Sequence, residues 1–544
     1  MAASLVTGKG LQTAPTASQQ TLPATQEAAS TTTACIIWDE DPDNPYNWRP
    51  ARKYTMTILL SCLTFNTLMS STMVAPALPQ ISRDLHVGSN SQTQLILSIY
   101  VLAYAVGYFF WAPMSEVYGR KIILQVANLF FCIFNLLCGF AANKATITAA
   151  RLLSGAGAAA PLALSMGIMG ELFRPSERGR SLAAVTIISL LGPTVGPIIG
   201  GGIATRSASS WRWAFWATTI FNAAILLISL RFLHESHTPT ILRRRAGRFH
   251  GSQQSPHRTD KRSTSLSLVA ALKRPFHLLF TQPTLQGLVV HQGIAFGALY
   301  IVLSVLTTAF TNVYDQSLMI ASLNYVSLGI GPTIGAQFCG RIADAIYRHK
   351  ERIYLDAKTA ALQHEEGFAE KEAAPNIPAE IRLYPFVPSM LLTTTGLLIF
   401  GWSVQYKVHW IVPNIGLVVF GAGNQASTQC TNAYVIDVFS RVQARDISQS
   451  GTKPVRLSMK RLAPSERKSI GLNWTASAMA SIWSFKSLGG FAFPLFAIDM
   501  IHKLGWGWSC TLLGLTNLFI GLPVAIVLLC YGSRLREVGR RRIE

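Results

Sequence analysis

The chain has 544 residues, of which 50% are hydrophobic and only 13% are charged, and its formal net charge at pH 7 is +21. Because soluble domains carry about 25% charged residues, this composition excludes a soluble globule, a disordered chain and a nucleic-acid-binding arm. The 8 cysteines include no CxxC pair, and seven of them fall in apolar segments, where cysteine behaves as a small hydrophobe. The sequence therefore predicts neither disulfides nor a metal site.

Twelve apolar stretches are long enough to cross a bilayer, which takes about 20 residues of helix. In chain order they cover residues 55–78, 93–114, 121–141, 146–170, 181–204, 213–231, 285–309, 318–340, 384–404, 408–434, 474–498 and 509–531. The sequence predicts an all-α membrane protein with twelve transmembrane helices. A long polar stretch leaves six spans on each side, which predicts two repeated halves.

The residues outside the spans predict two tails and three long loops. The start of the chain lacks the basic residues and short apolar core of a signal peptide. In chain order, the predicted units are a disordered cytosolic tail (1–53), a six-helix bundle (54–233), a cytosolic loop (234–283), a second six-helix bundle (284–531) that carries cytosolic loops 344–383 and 439–472, and a cytosolic tail (532–544).

Basic residues are distributed unevenly between the two sides of the predicted membrane. With the N-terminus in the cytosol, 39 of the 47 lysines and arginines lie on the cytosolic side. Six lie outside, and Arg151 and Lys486 fall within spans. This bias predicts that both termini are cytosolic. The positive net charge is therefore explained by the membrane topology and by attraction to anionic lipid, rather than by nucleic-acid binding.

The loop between spans 2 and 3 combines an acid with a basic turn. Glu116 ends one helix, Gly119 allows a tight turn, and Arg120 and Lys121 follow it. Glu116 can pair with Arg120 or with a basic residue of another helix, and such a cluster can latch the cytosolic faces of two helix bundles. The alternative is the ordinary basic charge of a cytosolic loop.

Span 4 contains Arg151 followed by small residues. A charge at this depth in a membrane is costly and normally functional. The alternative is a structural arginine that pairs with backbone carbonyls.

Span 5 is rich in glycine and proline. Small residues at four-residue spacing give a smooth helix face for close packing, and proline frees backbone carbonyls and bends the helix. The alternative is a face that serves packing alone. The residues concerned are Gly192, Pro193, Gly196, Pro197, Gly200 and Gly201.

These features together resemble the signatures of the major facilitator superfamily. Its loop 2–3 pattern ends in Gly-Arg-Arg/Lys, which matches Gly119, Arg120 and Lys121. Ala112, Glu116 and Val117 replace a glycine, an aspartate and an arginine of the pattern. The resemblance implies a role for Arg151 in proton coupling. It also implies that the span-5 segment is an antiporter motif, which is typical of exporters.

Three further segments resemble the twelve-span drug:proton antiporter family of fungi, in its polyamine and multidrug branch. They are Trp38–Trp48, Trp211–Trp216 and Glu235–Ala246. The resemblance covers the chain from about Trp38 to Arg536. It implies the major facilitator fold and gradient-driven export, and the sequence has no nucleotide-binding GxxxxGK[ST] motif.

In the second half, the resemblance implies gating or coupling roles for three charged residues. Asp344 follows a degenerate latch after span 8, Asp437 occupies a position where the family often has aspartate, and Lys486 replaces an arginine. The alternative for Asp437 is a helix-end acid beside Arg441.

The long basic loop 439–472 departs from the family, which has a short loop there. It is either a regulatory or lipid-contacting loop, or an extra segment from mis-spliced or mis-predicted coding sequence. A transcript that lacks these codons would exclude the first interpretation.

We expect the substrate near the middle of the membrane, between the halves. Aromatic walls and few fixed charges suit a bulky, largely apolar solute, and the alternative for each residue is a helix–helix hydrogen bond. The candidates are Asn66, Tyr100, Tyr104, His291, Gln292, Tyr300, Asn324, Asn424, Gln425 and Asn432.

The leading hypothesis is a proton-coupled exporter of hydrophobic or amphipathic organic compounds, such as drugs, toxins or fungal secondary metabolites. Polyamine or cation export would favour buried carboxylates, and a non-transporting sensor would need a large cytosolic domain. We expect no enzyme activity and no cofactor. The expected partners are a small-molecule substrate, protons and lipid, for a monomer in the plasma membrane or in a vacuolar or vesicular membrane.

Overall fold

The computed structural model describes residues 41–206, 210–249, 272–364, 378–449 and 474–541. Within these ranges, all regular secondary structure is helical.

Twelve long helices follow the order of the predicted spans, and we number them α1 to α12. The first six are α1 Pro50–Thr72, α2 Asn90–Tyr118, α3 Arg120–Gly139, α4 Lys144–Leu172, α5 Pro175–Ala204 and α6 Arg212–Phe232. The next four are α7 Pro283–Asn312, α8 Tyr325–His364, α9 Phe386–Gln405 and α10 Ile411–Gln449. Helix α11 comprises Trp474–Ala492 and the start of the segment Pro494–Arg541; Gly505, with φ of 75°, divides that segment, and α12 covers residues 506–541.

Ten described helical stretches are long and apolar enough to cross a membrane. Helices α10 and α11 are not among these ten, and polar residues such as Asn424, Gln425 and Lys486 lie within them. The predicted twelve-helix architecture is confirmed. Several helices run past their predicted spans, so that parts of the predicted loops and of the C-terminal tail are helical. Residues 450–473 lie outside the described residues, and both interpretations of the loop 439–472 stay open.

The two halves repeat one pattern of helix contacts. In the first half, α1 packs on α5 and α6, and α4 packs on α2 and α3, which also contacts α6. In the second half, α7 packs on α11 and α12, and α10 packs on α8 and α9, which also contacts α12. Each of these contacts in the first half becomes one of those in the second half when six is added to both helix numbers. This correspondence is what an internal repeat produces.

The halves meet along two helix pairs that the same repeat relates, α2 with α11 and α5 with α8. Toward the α2–α3 loop, the Tyr108 and Trp483 rings are 5.8 Å apart. Toward the opposite end, Thr194 packs against Gly329. The predicted substrate position between the halves therefore lies between these two contacts.

Apolar side chains also cover the lateral surface, where a soluble protein would be polar. Leu227 and Phe519 are 68% and 74% exposed. Large aromatic side chains are exposed at the helix ends opposite the α2–α3 loop, as expected at a membrane–water interface. They are Phe140, Trp213, Tyr406, Trp410 and Trp508.

Candidate functional site

The connection between α2 and α3 is a one-residue turn at Gly119, whose φ of 100° lies in the left-handed region that favours glycine. The turn presents the first amides of α3 to Glu235, which follows α6. The Arg120 amide donates to Oε1 at 2.8 Å, and the Lys121 amide donates to Oε2 at 3.3 Å. A carboxylate at a helix N-terminus satisfies free amides and complements the helix dipole. Glu235 thus ties the end of α6 to the start of α3.

The Arg120 side chain forms its ion pair with Glu171 at the end of α4, where Nη2 lies 3.1 Å from Oε1. The Ser236 hydroxyl donates to the other oxygen of Glu171 at 2.6 Å. The first expected partner of Arg120, Glu116, instead lines a cleft between the halves together with Arg274. The Gly119 turn causes this difference, since it directs Arg120 toward α4. Glu171 was not predicted as a partner, although an acidic residue directly after span 4 indicates one.

Gly119→Ala should lower the melting temperature of the purified protein. The added Cβ would lie 2.3 Å from Oε2 of Glu235, and alanine would be strained at this φ. We expect a loss of about 1–3 kcal/mol in the free energy of unfolding. Gly88→Ala is the matched control, because nothing lies within 4 Å of the Cβ position there. Equal melting temperatures for the two variants would contradict this role of the turn.

The last residues of the predicted N-terminal tail are folded against the same end of the first half. Asp41 forms an ion pair with Arg245 of the helix that follows α6. The Tyr46 hydroxyl donates to the Gly170 carbonyl of α4 at 3.1 Å. Residues 41–53 therefore depart from the expected disorder. The cause is tertiary: the acidic segment before α1 meets the basic segment after α6.

Arg151 lies fully buried in the first half. Its Nε donates to the Ile96 carbonyl of α2 at 3.3 Å, and its Nη1 donates to the Ser70 carbonyl of α1 at 3.1 Å. The Tyr100 ring centre lies 4.2 Å from the guanidinium carbon. Within the described residues, Nη2 has no partner and no carboxylate forms an ion pair with Arg151. The carbonyl contacts match the structural alternative, and the coupling role of this buried charge stays a prediction.

The glycines at four-residue spacing form the face that α5 presents to α1. A Cβ at Gly192, Gly196 or Gly200 would lie 2.7, 2.7 or 2.0 Å from a carbonyl oxygen of α1. Pro193 and Pro197 lie between these glycines inside the same helix. Any side chain on this face would therefore force α1 and α5 apart.

Gly201 lies on a different face of α5, against the second half. A Cβ there would lie 2.1 Å from the Ser322 hydroxyl oxygen in the short helix Leu318–Leu323 that precedes α8. The glycine-rich segment thus contributes to two interfaces, one inside the first half and one between the halves.

The predicted charged residues of the second half take different positions. Asp437 pairs with Arg382 of the short helix before α9, with 3.0 Å between Nε and Oδ2. The sequence analysis offered Arg441 as the neighbour, whose side chain lies outside the described residues. Asp344 lies within α8, and its side chain is also outside the described residues.

Lys486 faces the interface between the halves. Its Nζ lies 4.2 Å from the ring centre of Trp483 and 4.6 Å from that of Phe296 on α7. Trp483 and Gly490, on the same face of α11, both contact α2, the former through Tyr108. The sequence analysis missed these aromatic partners, although Trp483 precedes Lys486 by three residues, the spacing of neighbours on one helix face.

Three of the predicted cavity residues are brought together between the halves. The rings of Tyr100 and Tyr104 are 5.3 Å apart, and both are buried. The Tyr300 hydroxyl donates to the Ser71 hydroxyl across the interface at 3.4 Å. These tyrosines form an aromatic wall beside Arg151.

Three others lie inside a single half instead. Asn66 joins α1 to α6 by a bond of 3.1 Å to the Asn222 side chain. His291 packs against Phe386 of α9, with 4.9 Å between the ring centres. Asn324 bonds within the second half, near the start of α8. The rotation of each helix about its axis directs these side chains away from the interface between the halves. The position of a residue within a span does not reveal this direction.

The remaining candidates lie on α7 and α10. Gln292 donates to the Thr431 hydroxyl at 3.0 Å, and Asn424 donates to a carbonyl of α7 at 3.3 Å. These are helix–helix hydrogen bonds, the alternative stated for each of them. Gln425 is half-buried and Asn432 is buried.

This architecture corresponds to a known family. Residues 60–448 match the model of the Major Facilitator Superfamily. The chain belongs to the major facilitator superfamily. An uncharacterized transporter of Schizosaccharomyces pombe is 35% identical, over 92% of this chain and 93% of its own length. A protein of Penicillium aethiopicum named efflux pump vrtL is 32% identical, over 93% of this chain and 91% of its own length.

The fold of this facilitator also matches solved structures. The proton:xylose symporter XylE, bound to 6-bromo-6-deoxy-D-glucose, aligns with a TM-score of 0.59 and 13% identity, over 89% of this chain and 96% of that one. At this identity the match shows the fold alone. The predicted family and fold are confirmed, and the chain is a multi-pass membrane transporter.

Proposed function

We propose that this facilitator is a proton-coupled efflux transporter that exports hydrophobic or amphipathic organic compounds, such as drugs, toxins or fungal secondary metabolites. The observation that carries the proposal is the glycine face of α5 seated on α1, which forms the segment that resembles an exporter motif. Similarity to efflux pump vrtL over 91% of that protein supports the same direction of transport.

Alternating access would consist of rocking of the two halves about their two helix pairs. The Tyr108–Trp483 contact would separate when the cytosolic side opens. The Thr194–Gly329 contact would separate when the outer side opens. A substrate held between these closures would lie beside the buried tyrosines.

Arg151 would couple proton movement to this rearrangement. It bonds carbonyls of both α1 and α2, so a change in its electrostatic environment acts on two helices at once. Its charge has no carboxylate partner among the described residues, and any proton that moves nearby therefore changes its energy strongly.

The proposed setting is a plasma membrane, or a vacuolar or vesicular one, with both termini in the cytosol. The ratio of 39 basic residues inside to six outside supports this orientation. We propose a monomer that needs no cofactor and does no enzymatic chemistry. Its partners would be protons, lipid and the small-molecule substrate.

Cells that contain the protein should accumulate less of a fluorescent lipophilic compound than cells without it. An uncoupler should remove this difference while ATP is maintained, because the proton gradient drives export. In inside-out vesicles, a gradient that is acidic inside should drive uptake without ATP.

Uptake that requires ATP and ignores the gradient would contradict proton coupling. Uptake into right-side-out vesicles, with protons moving in the same direction, would make the protein an importer. Vesicles that contain Gly196→Leu protein at equal amount are the control for the gradient itself.

A further inference from the structure

The charged residues inside the predicted spans of this transporter are all basic. None of the 26 acidic residues falls in any of the twelve predicted spans. Arg151 and Lys486 do fall within spans, and both are buried in the structure. Apart from Lys121 and Arg231 at the very ends of their spans, the predicted spans therefore hold two cations and no carboxylate.

Lys486 is the cation that lies at the boundary of the halves. Its side chain is 8% exposed and sits between the Trp483 and Phe296 rings, with Tyr108 of the first half behind Trp483. The Phe296 ring also lies 4.9 Å from that of Tyr300, one of the tyrosines of the central wall. The ammonium thus lies between two aromatic rings of the second half, one of which contacts a ring of the first half.

The Lys486 ammonium lacks a counter-ion within the part of the chain that the structure describes. Among the described residues, its recorded contacts are the two aromatic faces, and neither a hydrogen bond nor an ion pair reaches it. Aromatic faces offset only part of the cost of burying a charge. An anion that entered the interface would supply the missing partner.

A small cleft between the halves lies one helical turn from Trp483, whose ring contacts the Lys486 ammonium. Its walls include Glu116 and Arg274 at the end near the α2–α3 loop, and Tyr108 and Ala480 farther in. Ala480 precedes Trp483 by one turn of α11, and the Tyr108 ring contacts Trp483. Separation of these two rings would therefore open the cleft to the Lys486 ammonium.

We propose that Lys486 binds the anionic group of the exported compound, and that the substrate is a lipophilic organic anion such as an aromatic carboxylate or phenolate. The assignment rests on the proposed export function and names its substrate class. The aromatic part of the substrate would pack on Trp483 and Phe296, while its charge pairs with the ammonium. A polyamine would meet the Lys486 ammonium there, and the predicted spans offer it no carboxylate.

The test uses three probes that share one fluorophore: 1-pyrenebutyrate, its methyl ester and 1-pyrenebutylamine. Proton-driven uptake into inside-out vesicles is measured as the initial rate above that of vesicles without the protein. Wild-type protein should take up the butyrate faster than the amine. Lys486→Gln should slow uptake of the butyrate about tenfold or more, the loss of one charge-assisted contact, and leave uptake of the ester nearly unchanged.

Two variants control for folding and for charge. Lys486→Arg should restore uptake of the butyrate, and Lys503→Gln, which removes an exposed lysine of the same helix, should change nothing. If wild-type protein moves none of the probes, the proposed export function is overturned. If it moves all three equally and Lys486→Gln changes none selectively, or if it prefers the amine, export stands and the anion assignment is overturned.

Discussion

Arg151→Ala should reduce proton-driven efflux to the level of cells without the protein, while the variant still reaches the membrane. The substitution removes the buried cation and both of its bonds to carbonyls of α1 and α2. Because no carboxylate pairs with Arg151 among the described residues, its loss leaves no opposite charge stranded, and the protein should remain folded. Efflux of a fluorescent lipophilic compound from a drug-sensitive host measures the effect, with protein quantified in the membrane fraction.

Arg212→Ala is the matched control for Arg151→Ala. Arg212 also donates to a backbone carbonyl, that of Ala141 at 3.1 Å, and lies over the Trp211 ring, but at the end of the first half. The Arg212→Ala variant should therefore retain efflux. Arg151→Lys keeps the positive charge but cannot donate to both carbonyls. Its efflux should lie between those of Arg151→Ala and Arg212→Ala. Wild-type efflux from Arg151→Ala would show that the arginine has no coupling role.

Gly196→Leu should nearly abolish export, with protein in the membrane reduced less than activity. A Cβ alone would lie 2.7 Å from the Met69 carbonyl oxygen and 2.8 Å from the Thr72 hydroxyl oxygen. Backbone cannot move aside as a flexible side chain does, so α5 must withdraw from α1. Overpacking of this kind costs about 1–3 kcal/mol or more, and Gly196→Ala should give a smaller loss of the same sign. Efflux per membrane-inserted molecule is the measurement.

Gly202→Leu is the control on the same helix. Nothing lies within 4 Å of the Cβ position of Gly202, so the same change of residue meets open space. Export should stay near the wild-type level. If Gly196→Leu also exports normally, the packing of α5 on α1 is not needed for transport.

The sequence predicted the helices well because a bilayer imposes one requirement on every span. About 20 apolar residues in a row must form a helix there, whatever surrounds them. The same logic predicted the glycine face of α5, since four-residue spacing is a property of one helix. It did not name α1 as the neighbour of that face. The contacts of Asn324, His291 and Asn66 inside a single half were not predicted for this reason: polarity within a span is visible in the sequence, but its direction is not.

The charged cluster around Arg120 shows the same difference between what the sequence predicts and what helix packing decides. Gly119, Arg120 and Lys121 were identified from their order, but the partners Glu171 and Glu235 lie 51 and 115 residues from Arg120. Only the packing of α4 and α6 against α3 brings them together.

The sequence by itself determined the twelve spans, the division into halves, the expected orientation and the absence of acidic residues from every span. These follow from composition and from periods within single helices. The tertiary structure decided which buried charges lack partners and which faces meet between the halves. It placed Lys486 between Trp483 and Phe296 because α11 packs against both α2 and α7. Contacts between helices that are distant in the chain depend on how each helix is rotated about its axis, and no local pattern specifies that rotation.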